Sequence, residues 1–159
     1  RGLGDVYKRQ LIEPLGVSNK KEQLEFQWNK KNTGGGRFIV EKKGLTKSVE
    51  LINVVKIDDY VKEKSISNIS FIKIDVEGFE PFVLQGAMQT IKKFKPNIFI
   101  EVSPKWWNKN GFSVKEVLQC FEELNYVFYP LVNEEIGGPE AFNTLLEKKD
   151  QFNLFLKYG

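Results

Sequence analysis

The amino-acid sequence predicts an α/β protein built around a parallel sheet, in a single domain. Two runs, residues 69–76 and 97–103, are mostly apolar and rich in β-branched side chains, as is typical of strands covered on both faces. A segment of helical pattern follows each run, and the second leads to a further strand-like run at residues 126–131. Such alternation is typical of parallel βαβ units. The length of 159 residues fits one domain.

The composition excludes several classes of site. The chain has one cysteine, Cys120, and no histidine, which excludes a disulfide framework, a histidine-ligated zinc site and catalytic triads that need histidine. Cys120 lies in an amphipathic pattern and is expected to be buried. The net charge of +3, with interspersed signs, argues against a nucleic-acid partner. There is no apolar run of membrane-helix length and no signal-peptide pattern, so we expect no membrane span and a cytoplasmic location.

The first ten residues differ in character from the rest. The stretch RGLGDVYKRQ is polar and lacks periodicity, and it resembles translated sequencing-adaptor sequence. We therefore expect residues 1–10 to be a non-native leader and residues 11–159 to be a partial domain.

The segment before residue 67 is predicted to be mostly strand. Residues 11–17 form a short apolar run, residues 22–28 alternate apolar and polar side chains, and residues 48–57 are rich in β-branched side chains. A loop is expected at residues 29–37, where three successive glycines disfavour regular structure. An acidic pair opens a short helix predicted at residues 58–66.

The second half supplies two longer helices and a closing strand. The first helix is predicted over residues 78–95, with Pro81 in its first turn and lysines near its end. The second is predicted over residues 113–125, where Ser113 opens a capping box. A polar stretch then precedes a last strand at residues 151–158.

Polar side chains stand where the two covered strands end. Asp75 and Glu77 follow the first strand, and Glu101 and Ser103 come at the end of the second. In open α/β sheets, ligands bind beyond the carboxyl ends of the strands. We therefore expect these four side chains to line one rim. The competing interpretation is that Glu77 and Glu80 only cap the following helix and face its positive end.

Two adjacent tryptophans, Trp106 and Trp107, follow this rim in the stretch PKWWNKNGF. They are candidates for a surface that covers a ligand, with core packing and a loop lid as the alternatives. Together with Glu80 and Ser103, they form our set of candidate substrate-binding residues.

Three motifs in residues 71–102 carry a family resemblance. They are Ile-Asp-Val-Glu-Gly-Phe-Glu at Ile74–Glu80, Leu-Gln-Gly-Ala at Leu84–Ala87, and Lys95–Pro96 ahead of a strand that contains Glu101. This long, ungapped pattern closely resembles the signature of the FkbM family of S-adenosylmethionine-dependent methyltransferases. Looser likeness extends over nearly all of the chain after residue 11.

The resemblance implies a Rossmann-like class I methyltransferase fold with strand order 3-2-1-4-5-7-6. On that map, strands 3, 4, 5, 6 and 7 correspond in turn to residues 11–17, 71–76, 97–102, 126–131 and 151–158. The resemblance places four residues near the adenine of S-adenosylmethionine: Gly16, Val17, Ser18 and Asn19. It also places Asp75 at the rim where the reacting methyl group and the acceptor meet, in contact with both cofactor and substrate.

One part of the family pattern is missing. The glycine-rich cofactor loop and the acidic residue that holds the ribose should both precede strand 3, and neither is found. The resemblance therefore implies a domain truncated at its N-terminus, without strands 1 and 2. We expect residues 1–159 alone to fold poorly and to bind cofactor weakly.

The implied reaction is methyl transfer from S-adenosylmethionine to a hydroxyl group of a sugar, glycolipid or small metabolite. A hydroxyl is a poor nucleophile and needs a base or a metal ion. Asp75 is the first candidate for the base, with Glu77 and Glu101 in support; alternatively, these three carboxylates hold Mg²⁺. Two other functions compete: a metal-dependent glycosyltransferase that uses the acidic pair Asp75 and Glu77, and a non-catalytic α/β binding domain.

Overall fold

The computed structural model describes residues 10–28, 36–39, 49–132, 135–138, 142 and 151–159. The strands are β1 (Gly16–Val17), β2 (Glu22–Gln27), β3 (Arg37–Phe38), β4 (Val49–Val55), β5 (Phe71–Ile74), β6 (Asn97–Val102), β7 (Tyr126–Val132), β8 (Glu135–Ile136) and β9 (Phe152–Tyr158). The helices are α1 (Ile57–Glu63), α2 (Glu80–Phe94), α3 (Pro104–Lys109) and α4 (Val114–Glu122). The leader, the glycine-rich loop and the polar stretch before the last strand fall largely outside the described residues.

In the part of the chain that the structure describes, the larger of two sheets has the strand order β5-β6-β9-β7-β8. Strands β5 and β6 are parallel, with Ile74 opposite Ile100, whereas β9 runs antiparallel between β6 and β7. This is the order predicted for these segments, including the antiparallel last strand. One face of the sheet forms the core, where Ile98, Ile100, Leu154 and Leu156 are fully buried. Strand β5 is less covered than predicted, since Phe71 is 53% exposed.

The smaller sheet has the order β1-β4-β2-β3. Strands β2 and β4 pair antiparallel, and β1 pairs with β4 in parallel. The strand expected over residues 11–17 is shorter in the structure, because pairing begins only at Gly16. Pro14 has no N–H to donate to a partner strand, and Leu11 and Ile12 are exposed. The predicted strand 3 is therefore only two residues long. Among the described residues it belongs to the smaller sheet, with β2, β3 and β4, and not to the larger one.

Helix α2 packs against the larger sheet. It opens with a proline at its second residue, and Lys95 ends it in the left-handed conformation at φ 51° just before Pro96. Val83, Ala87 and Ile91 recur every four residues and are buried in the core. This spacing defines the stripe of α2 that faces the hydrophobic core.

Helix α2 also contacts the smaller sheet and helix α1. The Cα atom of Gly86 faces the backbone of Ser18, directly after β1. From α1, the Asp58 carboxylate accepts hydrogen bonds from the backbone N–H groups of Gln89 at 3.1 Å and Thr90 at 2.7 Å. These contacts tie the smaller sheet and α1 to the same helix that follows the acidic motif.

The segment after β6 is a helix and not the loop lid that is one of the alternatives for Trp106 and Trp107. Pro104 occupies the first position of α3, where its missing N–H costs no hydrogen bond. In α4, the Ser113 hydroxyl accepts the Glu116 N–H at 3.5 Å, as the capping-box spacing predicts. Cys120 on this helix is exposed, contrary to the expectation of burial, because it lies on the solvent side of the amphipathic pattern. Among the described residues, no helix has the length and apolarity to cross a bilayer.

Candidate active site

The parallel pair β5–β6 brings the predicted acidic residues to one end of the larger sheet. Because Ile74, the last residue of β5, lies opposite Ile100, Asp75 and Glu101 come next in the chain at the same end of the two strands. Burial raises the pKa of Glu101, and the charges of Asp75, Glu80 and Glu77 act in the same direction, so these carboxyl groups influence one another. We call this set the acidic rim.

Glu101 is the partly buried member of the acidic rim. Its Oε2 atom is shielded from solvent and has no hydrogen-bond partner among the described residues. Burial is the main cause that raises the pKa of Glu101, and the neighbouring carboxylates add to it, while a hydrogen bond with Gln151 acts in the opposite direction. A carboxyl group in this environment keeps its proton to higher pH than an exposed glutamate, which suits exchange of protons with a ligand.

Replacing Glu101 with glutamine is expected to change how stability depends on pH. A carboxyl group whose pKa is raised on folding stabilises the fold below its ordinary value of 4.5, and this contribution is lost as pH rises through the raised value. The E101Q variant lacks this loss, so its free energy of unfolding should gain on that of the wild type from pH 4.5 upward. Urea unfolding of both proteins at several pH values from about 4 to about 8 measures this difference in the free energy of unfolding. A constant difference at every pH would contradict it.

Asp75 is the exposed member at the end of β5. Its Oδ2 atom lies 3.0 Å from Nζ of Lys73, and both side chains are about half exposed, at 46% and 59%. An ion pair in this setting contributes little to stability. Lys73 stands two residues before Asp75, and side chains at this spacing lie on the same face of a strand. The contact could therefore be predicted from the sequence. Asp75 therefore keeps carboxylate surface open to a ligand.

The turn after Asp75 has a special backbone. Glu77 is exposed and has φ 54°, and Gly78 has φ 91°. Left-handed backbone at a residue other than glycine costs about 1–2 kcal/mol. A Cβ atom at Gly78 would lie 2.5 Å from Cβ of Trp106, so the glycine is needed both for its φ and for the close approach of α3. This turn keeps Glu77 at the surface while Gly78 is buried.

Three of the predicted substrate-binding residues lie beneath the surface. Glu80 and Trp107 are each 0% exposed, and Ser103 is 2% exposed. The indole Nε1 of Trp107 donates to Oε2 of Glu80 at 2.8 Å. The structure thus brings Glu80 and Trp107 together beneath the exposed members of the acidic rim, Asp75 and Glu77.

Trp106 lies nearer the surface than Trp107. Its ring is half-buried, with the Arg37 guanidinium carbon 4.6 Å and the Lys109 Nζ 5.0 Å from the ring centroid. Neither cation is a candidate from sequence. Arg37 reaches Trp106 from the smaller sheet, which no periodic pattern indicates, and Lys109 lies three residues after Trp106 on a helix that the sequence pattern does not predict. An indole flanked by cations offers a flat apolar face together with positive charge.

The predicted cofactor-binding residues lie against α2. Ser18 is 1% exposed, and its N–H donates to the carbonyl oxygen of Val55 at 2.9 Å. The side-chain amide of Asn19 donates to Oε1 of Gln85 at 2.9 Å. Gln85 lies five residues, about 8 Å of helix, beyond Glu80. Segment 16–19 and the acidic rim are thus connected through the first turns of α2.

The acidic residues do not form a recognisable metal centre. In the part of the chain that the structure describes, no three Asp, Glu or Cys side chains lie in an arrangement that could hold a metal ion. The Mg²⁺ alternative for Asp75, Glu77 and Glu101 therefore has no support in the geometry, and no step below depends on a metal.

Comparison with known proteins gives the family. The model of the methyltransferase FkbM domain matches residues 5–128. The crystal structure of methyltransferase FkbM from Methylobacillus flagellatus KT is similar to this chain, with a TM-score of 0.50 and 19% sequence identity, which shows a likeness of fold. That match covers 93% of this chain and 28% of the other. No curated protein matches. Because the domain model matches most of the chain, the chain belongs to the methyltransferase FkbM domain family.

Proposed function

We propose that this chain forms the acidic rim of an S-adenosylmethionine-dependent methyltransferase that methylates a hydroxyl group. The observation that carries the proposal is the convergence of Asp75, Glu77 and Glu101 at the carboxyl end of two parallel strands, in a chain of a methyltransferase family. Ligands of open α/β sheets bind at this end. We expect the protein to act in the cytoplasm on a sugar, glycolipid or other small hydroxylated acceptor.

The proposed chemistry is an in-line displacement. S-adenosylmethionine supplies a methyl group bonded to a positively charged sulfur. With S-adenosylmethionine bound, its methyl carbon would pass from the sulfur to the acceptor oxygen, and the carboxylate of Asp75 would accept the hydroxyl proton. Asp75 is the preferred base because it is the exposed carboxylate directly at the strand end. Alignment of the reacting atoms would supply most of the acceleration.

The other residues of the acidic rim have supporting roles in this proposal. Glu77 is exposed, and we assign it the role of orienting the acceptor. Glu101 has an unpartnered, buried Oε2 atom among the described residues and a raised pKa, so it is suited to share the proton or hold it after transfer. The negative charge of the three carboxylates also favours the positively charged sulfonium over the neutral thioether product.

The cofactor is proposed to contact segment 16–19. Asn19 is half-buried and lies beside Gln85, and the two carboxamides form a polar edge of the kind that binds the nitrogen atoms of a purine. Gly16 lies in close contact with Phe38 and Val54, which leaves no room for a side chain there. The residues present thus fit an adenine, with Asn19 as the polar contact.

The acceptor is proposed to lie against Trp106. The half-buried ring stands directly above Gly78, and aromatic faces bind the apolar faces of sugar rings. Arg37 and Lys109 beside the ring would add affinity for an acceptor with an acidic group. Neither alternative function, the glycosyltransferase or the non-catalytic binding domain, is favoured by a specific observation on the described residues.

Calorimetric titration with S-adenosylhomocysteine tests the proposal. The protein, in the longest form that its gene encodes, is expected to bind one equivalent with a dissociation constant of about 1 μM to 1 mM, the range in which the KM values of most enzymes fall. A control titration of the same protein with a nucleoside diphosphate sugar and Mn²⁺ should show no heat of binding. Binding of the nucleotide sugar alone would overturn the methyltransferase proposal and favour the glycosyltransferase.

A further inference from the structure

Glu80 is a fully buried carboxylate whose two oxygen atoms both accept hydrogen bonds. Oε1 accepts from the backbone N–H groups of Val76 at 3.1 Å and Gly78 at 3.0 Å. Oε2 accepts from the indole Nε1 of Trp107 at 2.8 Å. Burying a carboxyl group without partners is costly, and three N–H donors offset that cost here.

Two of the three donors belong to the turn that carries the candidate catalytic side chains, and the third, the indole of Trp107, lies on α3. Val76 and Gly78 flank Glu77, whose positive φ is unfavourable without support from its surroundings. The side-chain amide of Asn110, just after α3, donates to the carbonyl oxygen of Gly78 at 3.1 Å. The turn at residues 75–78 is therefore held by the first residue of α2 and by the helix that follows β6.

We propose that Glu80 is a positioning residue, which locks the turn at residues 75–78 onto α3 so that Asp75 and Glu77 remain exposed at the acidic rim. This inference rests on the proposed function, because it explains how the candidate base is held. Through Trp107, it also couples the end of β5 to the segment after β6, the two strands whose ends build the rim.

A simple helix-end role does not account for these contacts. An acidic residue in the first turn of a helix is favoured by the helix dipole even when it is exposed. Glu80 instead is 0% exposed and bonds to residues that precede the helix. Glu116 in the first turn of α4 is exposed and provides the matched comparison for a glutamate with that simpler role.

The test compares E80Q, W107F, the double variant and E116Q by amide hydrogen exchange and calorimetry. In E80Q, the new NH₂ group must face either the backbone donors or the indole donor. Exchange at Val76 and Gly78 should become about 10- to 100-fold faster in E80Q, the range expected for loss of a hydrogen bond to a charged group. The double variant should exchange more slowly at these sites than E80Q, because the indole is gone and the new NH₂ group can turn away from the backbone donors. E116Q should leave both amides unchanged.

Activity and cofactor affinity separate positioning from general stability. In E80Q, turnover of an accepted hydroxyl substrate should fall about tenfold or more, while S-adenosylhomocysteine affinity stays within about threefold of wild type. Unchanged exchange at Val76 and Gly78, or equal acceleration at every amide, would overturn the positioning role. Failure of the wild type to bind S-adenosylhomocysteine would overturn the proposed function instead, and the exchange result would still decide whether Glu80 holds the turn.

Discussion

Replacing Gly86 with alanine is expected to lower the free energy of unfolding by about 3 kcal/mol, the upper part of the usual range for overpacking. The new Cβ atom would overlap the carbonyl oxygen of Ser18 and lie 3.2 Å from Cα of Asn19. These are backbone atoms next to β1, which cannot rotate away as a side chain can. Alanine favours a helix over glycine by only about 1 kcal/mol, which does not offset the clash.

Urea unfolding of G86A and of a control, G111A, measures this effect. Gly111 has φ 83°, and a Cβ atom added there would meet nothing within 4 Å, so G111A carries only the backbone cost, about 1–2 kcal/mol. G86A should therefore unfold at a clearly lower urea concentration than G111A. Equal stability of G86A and wild type would mean that segment 16–19 does not pack on α2, and the proposed adenine contact at Asn19 would lose its basis.

Gly86 illustrates what the sequence predicts and where prediction stops. The motif at Leu84–Ala87 indicates a helix and a family, and the helix is observed as α2. Why the third motif residue is glycine cannot be inferred from sequence, because its partner Ser18 is 68 positions away in the chain. Helical periodicity indicates which residues of α2 face the core. It does not indicate that the backbone next to β1, in the smaller sheet, lies against Gly86.

The strands show the same division. The order β5-β6-β9-β7 follows from the family resemblance and is observed, and the parallel pair β5–β6 follows from the strand–helix alternation. The smaller sheet is predicted only as separate strands, since pairing between β1 and β4 depends on contacts that alternation does not encode. Helix α3 is not predicted, although Pro104 at its first position carries a helix-start signal.

At the site, the sequence predicts which carboxylates meet but not their different environments. Parallel strands end at one edge, so convergence of Asp75 and Glu101 follows from the order of elements. Burial of Glu80 does not, because it depends on Trp107 from a helix that the sequence pattern does not predict. The difference between an exposed Asp75 and a buried Glu80, only five residues apart, comes from the turn between them.

Replacing Asp75 with asparagine is expected to lower methyl transfer about 100- to 10,000-fold, the usual contribution of a positioned general base. Asparagine has nearly the same shape but accepts no proton at neutral pH. Because the Asp75 side chain is exposed and bonded only to Lys73 among the described residues, its loss should leave the fold intact. The measurement is turnover of S-adenosylmethionine with an accepted sugar or glycolipid, beside calorimetric affinity for S-adenosylhomocysteine.

The controls for D75N separate three roles of this carboxylate. K73M removes the ion pair and keeps the base, so it should retain turnover within about threefold of wild type, in line with the small energy of exposed ion pairs. D59N removes an exposed carboxylate on α1, away from the acidic rim, and should leave turnover and cofactor affinity unchanged.

Intact turnover in D75N would transfer the role of base to Glu101, the neighbour with the raised pKa. Loss of S-adenosylhomocysteine binding in D75N would instead make Asp75 a residue that holds the cofactor. The proton would then have to pass to Glu77 or Glu101, because the third remaining rim carboxylate, Glu80, is buried and already bonded through both of its oxygen atoms.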